Sequence, residues 1–244
     1  MLVTGPTGSG KTTTLYAALK SIASPELNVV TVEYPIEYQL DGVNQIQVNK
    51  KIGLDFAGAL RAVLRQDPDV VMVGEIRDGE TAAVANQAAL TGHLVLATLH
   101  TNNAVAAFPR LVDMGVEPYL LASTVRASLA QRLARRLCQH CREPHPIEPF
   151  FHDLWGTRLK SDIGFRSRGC TACGGSGYAG RVAVAEFIPM TDSIRSHLLH
   201  RADEATLSQN VQASGFQTML DDGLAKVAGG LIDTHELVRL IGSI

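Results

Sequence analysis

The chain has 244 residues, 45% of them hydrophobic and 19% charged, with a formal net charge of −2 at pH 7. This is the composition of a globular protein able to bury a sizeable core. No apolar run approaches the ~20 residues of a membrane-spanning helix, no basic segment leads into an apolar one at the start, and the near-neutral charge gives no global pull toward nucleic acid or anionic lipid. The chain is therefore expected in the cytoplasm, without direct membrane insertion, reaching a membrane only through partners.

A short apolar run, Met1-Leu-Val-Thr4, predicts a first strand. It leads directly into Gly5-Pro-Thr7-Gly8-Ser9-Gly10-Lys11-Thr12-Thr13, followed by a helix-permitting stretch to Ile22. Strand, glycine-rich loop and helix in that order are the context a phosphate loop requires. Gly5, Gly8 and Gly10 let the backbone curl so that successive N–H groups point inward at phosphate oxygens, and the helix N-terminus adds partial positive charge. Lys11 can reach the β- and γ-phosphates of a nucleoside triphosphate, and the Thr12 hydroxyl can ligate Mg²⁺.

Val29-Val-Thr-Val32 predicts a second strand ending at Glu33, with Glu37 four residues later across Pro35. Two acids converging there can share metal–water contacts and base work. Phe56, Leu60, Val63 and Leu64 give a helical stripe, so 55–66 is predicted as an amphipathic helix. Val70-Val-Met-Val73 is a buried strand running into Gly74-Glu75, 81–90 is a second helix, and 93–99 is a further buried strand running into His100. Functional side chains thus end strand after strand, the edge at which open α/β sheets bind ligands. There Glu75 can orient Mg²⁺ and the attacking water, and a neutral His100 imidazole can bond a γ-phosphate oxygen.

Arg126, Arg132, Arg135, Arg136 and Arg142 fall in a stretch without acids, expected to be a solvated or subunit-facing basic helix. Without aromatics to stack bases it does not suggest a nucleic-acid partner. All four cysteines follow, as Cys138-Gln-His-Cys141 and Cys170-Thr-Ala-Cys173 with 28 residues between the pairs. Four thiolates satisfy tetrahedral Zn²⁺ and leave no open position, so the expected site is structural. His140 and His145 are close enough in sequence to substitute as ligands, but four cysteines leave no vacancy. Beyond Pro189 the pattern is helical, with Asp233 and Glu236 as an expected capping pair for a last helix through Ile241.

Four segments together resemble the boxes of bacterial secretion ATPases: Gly5 to Thr13, Glu33-x-Pro-Ile-Glu37, Arg65 to Asp78 and Thr91 to Asn102. That family powers type II secretion and type IV pilus assembly. The likeness runs essentially the whole chain, through Asp221-Asp-Gly-Leu-Ala-Lys-Val227. The cysteine pairs followed by Gly177-Tyr-x-Gly-Arg181 resemble the type II secretion and pilus-extension branch.

The resemblance implies an α/β fold: a RecA-like core with a mostly parallel sheet over 1–137, a zinc-binding insert over 138–180 and a mostly helical subdomain over 181–244. It also implies a homo-hexamer that hydrolyses ATP with Mg²⁺ to move inner-membrane platform proteins. By position, Lys11 and Thr12 hold phosphate and metal, Glu75 is the catalytic glutamate, Glu33 the acidic-box residue and His100 the sensor. Tyr34 stands where the family has an aspartate, which predicts reduced turnover. The loop begins at residue 5, where the family carries further domains ahead of it whose arginines reach the nucleotide, so the sequence is expected to be N-terminally truncated and slow alone. The alternatives that stay open are a pilus-extension motor, a zinc-lid nucleotide kinase, a weakly catalytic scaffold and a DNA pump.

Overall fold

The computed structural model describes residues 1–242. Short strands of β-branched residues alternate with helices that each bury one stripe. The result is a seven-stranded sheet in the order β3-β2-β4-β5-β1-β6-β9, formed by β1 (Leu2–Thr4), β2 (Val29–Glu33), β3 (Asn44–Gln47), β4 (Val70–Val73), β5 (Leu94–Leu99), β6 (Ala127–Leu137) and β9 (Tyr178–Pro189). The pairings of β2 with β3, β2 with β4, β4 with β5, β1 with β5 and β1 with β6 are all parallel. This is the α/β, RecA-like architecture expected.

Two compact units emerge. The first comprises Met1–Ala130 and Phe187–Phe216, the second Gln131–Glu186 and the segment from Gln217 on. The boundary falls within β6 and near the end of β9.

In the first unit, α1 (Lys11–Ile22) buries Leu15, Tyr16 and Leu19 against Val3, Val29, Val70, Met72 and Leu96. Positions 15, 16 and 19 fall on one helical face, which is why this helix seats on the sheet. The two predicted helices downstream begin at aspartate caps. Asp55 accepts the Gly58 N–H at 2.7 Å ahead of α2 (Phe56–Val63), and Asp78 accepts the Thr81 N–H at 2.8 Å ahead of α3 (Gly79–Leu90). The unit also holds α4 (Ala107–Asp113), α5 (Pro118–Thr124), α7 (Asp192–Leu199) and α8 (Glu204–Ala213).

The second unit carries a two-stranded antiparallel sheet, β7 (Arg142–Pro146) with β8 (Ile163–Ser167), and helices α6 (Pro149–Trp155), α9 (Met219–Ala228) and α10 (Thr234–Ile241). Three features of the chain differ from what the sequence suggests. The arginine-rich stretch is extended, not helical: Arg132, Arg135 and Arg136 lie in β6 and Arg142 begins β7. Two of the β6 arginines meet partners about a hundred residues away: Arg135 is bonded to Glu236, and Arg132 donates to the Leu240 carbonyl. Between the cysteine pairs the chain builds β7, β8 and α6 despite weak periodicity. Asp233 does cap α10, accepting the Glu236 N–H at 2.7 Å. The Glu236 carboxylate does not complete a capping box, because Arg135 and Arg239 hold it.

Candidate functional site

Sheet order brings the motifs together. The phosphate loop follows β1, Glu75 follows β4 and His100 follows β5, and these three strands are neighbours in the order β4-β5-β1. In the loop Gly5, Gly8 and Gly10 have φ of 144°, 78° and 88°, a region that glycine enters without a Cβ penalty. Gly10 is the N-cap of α1 and supplies no side chain to the helix N-terminus, so the first-turn N–H groups are not capped from within.

Lys11 is the first residue of α1 and is buried. Its Nζ donates to the carbonyls of Gly5 at 2.8 Å and Pro6 at 3.1 Å, folding the side chain back along the loop. Burial lowers the pKa of its ammonium, while the charge of Glu75 pulls the other way. Thr7, Gly8 and Thr13 are exposed, Gly10 and Thr12 half-buried, and Gly5 and Ser9 buried.

Glu75 is held from both sides. Its Oε1 lies 3.0 Å from His100 Nε2 and its Oε2 lies 2.5 Å from the Arg77 guanidinium. That hydrogen bond is the main cause of a raised Arg77 pKa. The strand ends around it are fixed by Thr98, whose hydroxyl donates to the Gly74 carbonyl at 2.6 Å and whose carbonyl accepts the Ile76 N–H at 3.0 Å. Arg77 is the residue that motif reasoning passed over. Its position two residues beyond Glu75, on the same strand extension, was the available signal.

Glu33 is placed differently from the other acids. It is buried at the end of β2, and its carboxylate accepts from the Tyr16 hydroxyl, from Thr31 Oγ1 at 2.5 Å and from Gln45 Nε2 at 3.1 Å. Tyr34 and Glu37, on the loop just beyond, are exposed.

The second unit holds the other candidate site. The four cysteine Sγ atoms lie within 4.8 Å of one another, with Cys138–Cys170 and Cys141–Cys173 at 3.9 Å and Cys170–Cys173 at 3.8 Å. A tetrahedron of Zn–S bonds of ~2.3 Å has sulfur–sulfur edges of about 3.8 Å, so the donor set fits zinc. Backbone N–H groups of Cys170 and Gly177 reach Cys173 Sγ at 3.2 and 3.3 Å. Led by the Cys170 amide, they bring that thiol down to about 6. Gly169 makes the knuckle possible: at φ 85° a Cβ would stand 2.5 Å from the Gly175 carbonyl oxygen.

The profile of the family described as "Type II/IV secretion system protein" matches residues 1–239. The chain belongs to that family. It is 52% identical over 240 residues to the type II secretion system protein HxcR of Pseudomonas aeruginosa, covering 98% of this chain and 48% of that protein. The type II secretion system ATPase E of Vibrio cholerae is 48% identical over 241 residues, with the same coverage. The chain thus spans about half the length of these curated relatives. Among solved structures, the crystal structure of the pilus retraction motor PilT with bound ADP superposes with a TM-score of 0.73 at 31% identity, over 98% of this chain and 60% of that one. The Legionella pneumophila ATPase DotB gives 0.71 at 25% identity, over 100% of this chain and 60% of that one. Membership of the secretion family displaces the nucleotide-kinase alternative. Among the described residues no helix is long and apolar enough to cross a membrane.

Proposed function

We propose that this chain is the ATP-hydrolysing part of a type II secretion motor. The observation that carries the reading is the convergence of Lys11, Glu75 and His100 at the carboxyl edge of three adjacent parallel strands. The loop amides and the first turn of α1 take the phosphates, with Lys11 exchanging its carbonyl partners for β- and γ-phosphate oxygens. Thr12 is the ligand for Mg²⁺, which when bound neutralises phosphate charge. Glu75 orients the attacking water, and His100 and Arg77 set the rotation of its carboxylate.

Cys138, Cys141, Cys170 and Cys173 hold one structural zinc ion, whose role is to tie the knuckle together. The relatives' names support coupling to protein secretion. A homo-hexamer working on inner-membrane platform proteins from the cytoplasmic side is the assembly this family membership suggests.

Calorimetric titration with ATP–Mg²⁺ tests the site. Lys11→Ala should weaken binding by about ten- to a hundredfold, the loss of a charge-assisted contact. Glu75→Gln should keep affinity and lower turnover by about 10²–10⁴-fold, the range for general-base work. Unaltered affinity in Lys11→Ala overturns the binding site, and unaltered turnover in Glu75→Gln overturns the role of the acid.

A further inference from the structure

Glu33 ends β2 at the carboxyl edge of the parallel sheet, where an acid would be expected to serve the metal and its water. Its surroundings do not suit that work. The side chain is only 2% exposed. A carboxylate offers about four lone-pair sites, and three are taken by donors from three elements: Tyr16 on α1, Thr31 on β2 and Gln45 on β3.

The same donors grip the loop that follows. Gln45 Nε2 also donates to the Tyr16 oxygen at 3.3 Å and to the Tyr38 carbonyl at 3.2 Å, while its Oε1 accepts the Leu40 N–H at 2.7 Å. Gln47 Oε1 accepts the Ile36 N–H at 3.2 Å. The Tyr16 ring packs edge-on against Tyr38 at 4.7 Å. Tyr16 therefore touches the acidic loop with both its ring and its hydroxyl, one turn beyond the Lys11 and Thr12 that begin α1.

We infer that Glu33 is a positioning residue: with Tyr16 and Gln45 it fastens the acidic loop, residues 34–40, to the helix that carries Lys11 and Thr12. The chemistry is left to acids that solvent reaches, Glu75 among them. Burial and the Glu33 hydrogen bond raise the Tyr16 phenol above its ordinary range, in keeping with a hydroxyl that donates and keeps its proton. The sequence hid this role because Tyr16, Glu33 and Gln45 are far apart in the chain and neither Tyr16 nor Gln45 belongs to a motif.

The inference rests on the ATPase reading for its functional consequence but not for its structural one, so the two can fail separately. The test uses the full chain with Tyr16→Phe, Glu33→Gln and Gln45→Met. Phenylalanine keeps the ring in the core, and Gln45 is only half-buried, so at least these two variants should fold. Amide hydrogen exchange over residues 34–43 should accelerate about tenfold or more in each variant, from loss of contacts of about 1.4 kcal/mol. Exchange in α1 and β4 should stay unchanged.

ATP affinity should stay within about threefold and turnover fall about tenfold. The Tyr16→Phe, Glu33→Gln double variant should be no slower than the slower single one, since both break one link. The acid limb of the turnover–pH profile should survive in Glu33→Gln. Normal loop exchange and normal turnover in Tyr16→Phe and Gln45→Met, with Glu33→Gln alone slow and its acid limb gone, would return Glu33 to direct chemistry. A wild-type chain that binds no ATP overturns the ATPase reading, and the exchange results alone then decide the loop's anchorage.

Discussion

Each compact unit buries one glutamate, and the two are satisfied in opposite ways. Glu33 in the first unit meets only neutral donors, two hydroxyls and an amide. Glu236 in the second, fully buried, meets two arginines. Arg135 reaches it through its backbone N–H at 2.7 Å and its guanidinium at 2.8 and 3.0 Å, and Arg239 reaches it from one turn further along α10. Arg135 also stacks over the Tyr178 ring at 4.1 Å, and the Tyr178 hydroxyl donates to Asp233, the cap of α10. The second unit is thus organised by charge, with an arginine–carboxylate cluster and four thiols. Around Glu33 the first unit is organised instead by apolar packing and neutral hydrogen bonds. The folding of the second unit should respond to zinc, acid and salt, and the bonds that hold Glu33 should not.

The largest effect should come from the thiols. Structural zinc sites carry folding energy on the order of 10 kcal/mol in isolated peptides. Cys138→Ser, or a strong chelator, should abolish most bound zinc and lower the unfolding midpoint of the second unit. Trp155 is the chain's single tryptophan and lies in α6 of that unit, so its fluorescence follows this transition alone. ATP affinity should change less than twofold. A protein purified without chelator that carries no zinc, and whose Trp155 transition ignores the substitution, would remove the site.

Next in size is the arginine cluster. Burial opposes ionisation of Glu236, but the bonds from Arg239 and Arg135 prevail and hold its pKa at about 2, against an ordinary 4.5. A depressed carboxylate pKa gives stability that is fully present above pH 4.5 and is lost as pH falls from there toward 2. The amount is on the order of 2 kcal/mol, because the arginines are half-exposed and partly screened. Glu236→Gln should therefore lower the urea midpoint of the Trp155 transition at pH 7 and flatten its slope between pH 4.5 and 2, relative to wild type. Parallel pH profiles for the two proteins would show that the cluster contributes no acid sensitivity.

The same contrast explains what could be read from the sequence. The phosphate loop, the strand ends at Glu75 and His100 and the cysteine pairs were legible, because each is a contiguous motif whose spacing matches its chemistry. The cluster of four thiols needed only two short knuckles. The arginine strand was not legible. Arg132, Arg135 and Arg136 are too polar for a core strand until Glu236, about a hundred residues on, accounts for one of them. The turned-in carboxylate of Glu33 was hidden for a related reason, since its donors at 16 and 45 lie on flanking elements. Local patterns announce what a segment can do, and long-range partners decide which way its side chains turn.

The smallest effect should be the most telling about the first unit. Thr31 is wholly buried in β2, between β3 and β4, and its hydroxyl donates to Glu33 Oε1 at 2.5 Å. Thr31→Val keeps the shape of the side chain and suits a central strand, but removes one donor. Gln45 still covers the same oxygen at 3.1 Å, so the carboxylate is not stripped bare. The net loss should be that of one ordinary hydrogen bond, about 1 kcal/mol. It should appear as faster exchange of β2 amides and a lower midpoint by circular dichroism, with Trp155 fluorescence unmoved. Because Glu33 is held by neutral donors and has no ion pair among the described residues, added salt should leave the difference between Thr31→Val and wild type unchanged, whereas salt should shrink the difference made by Glu236→Gln. A salt-dependent loss in Thr31→Val would mean that Glu33 is balanced by a charge after all, and the contrast between the two buried glutamates would collapse.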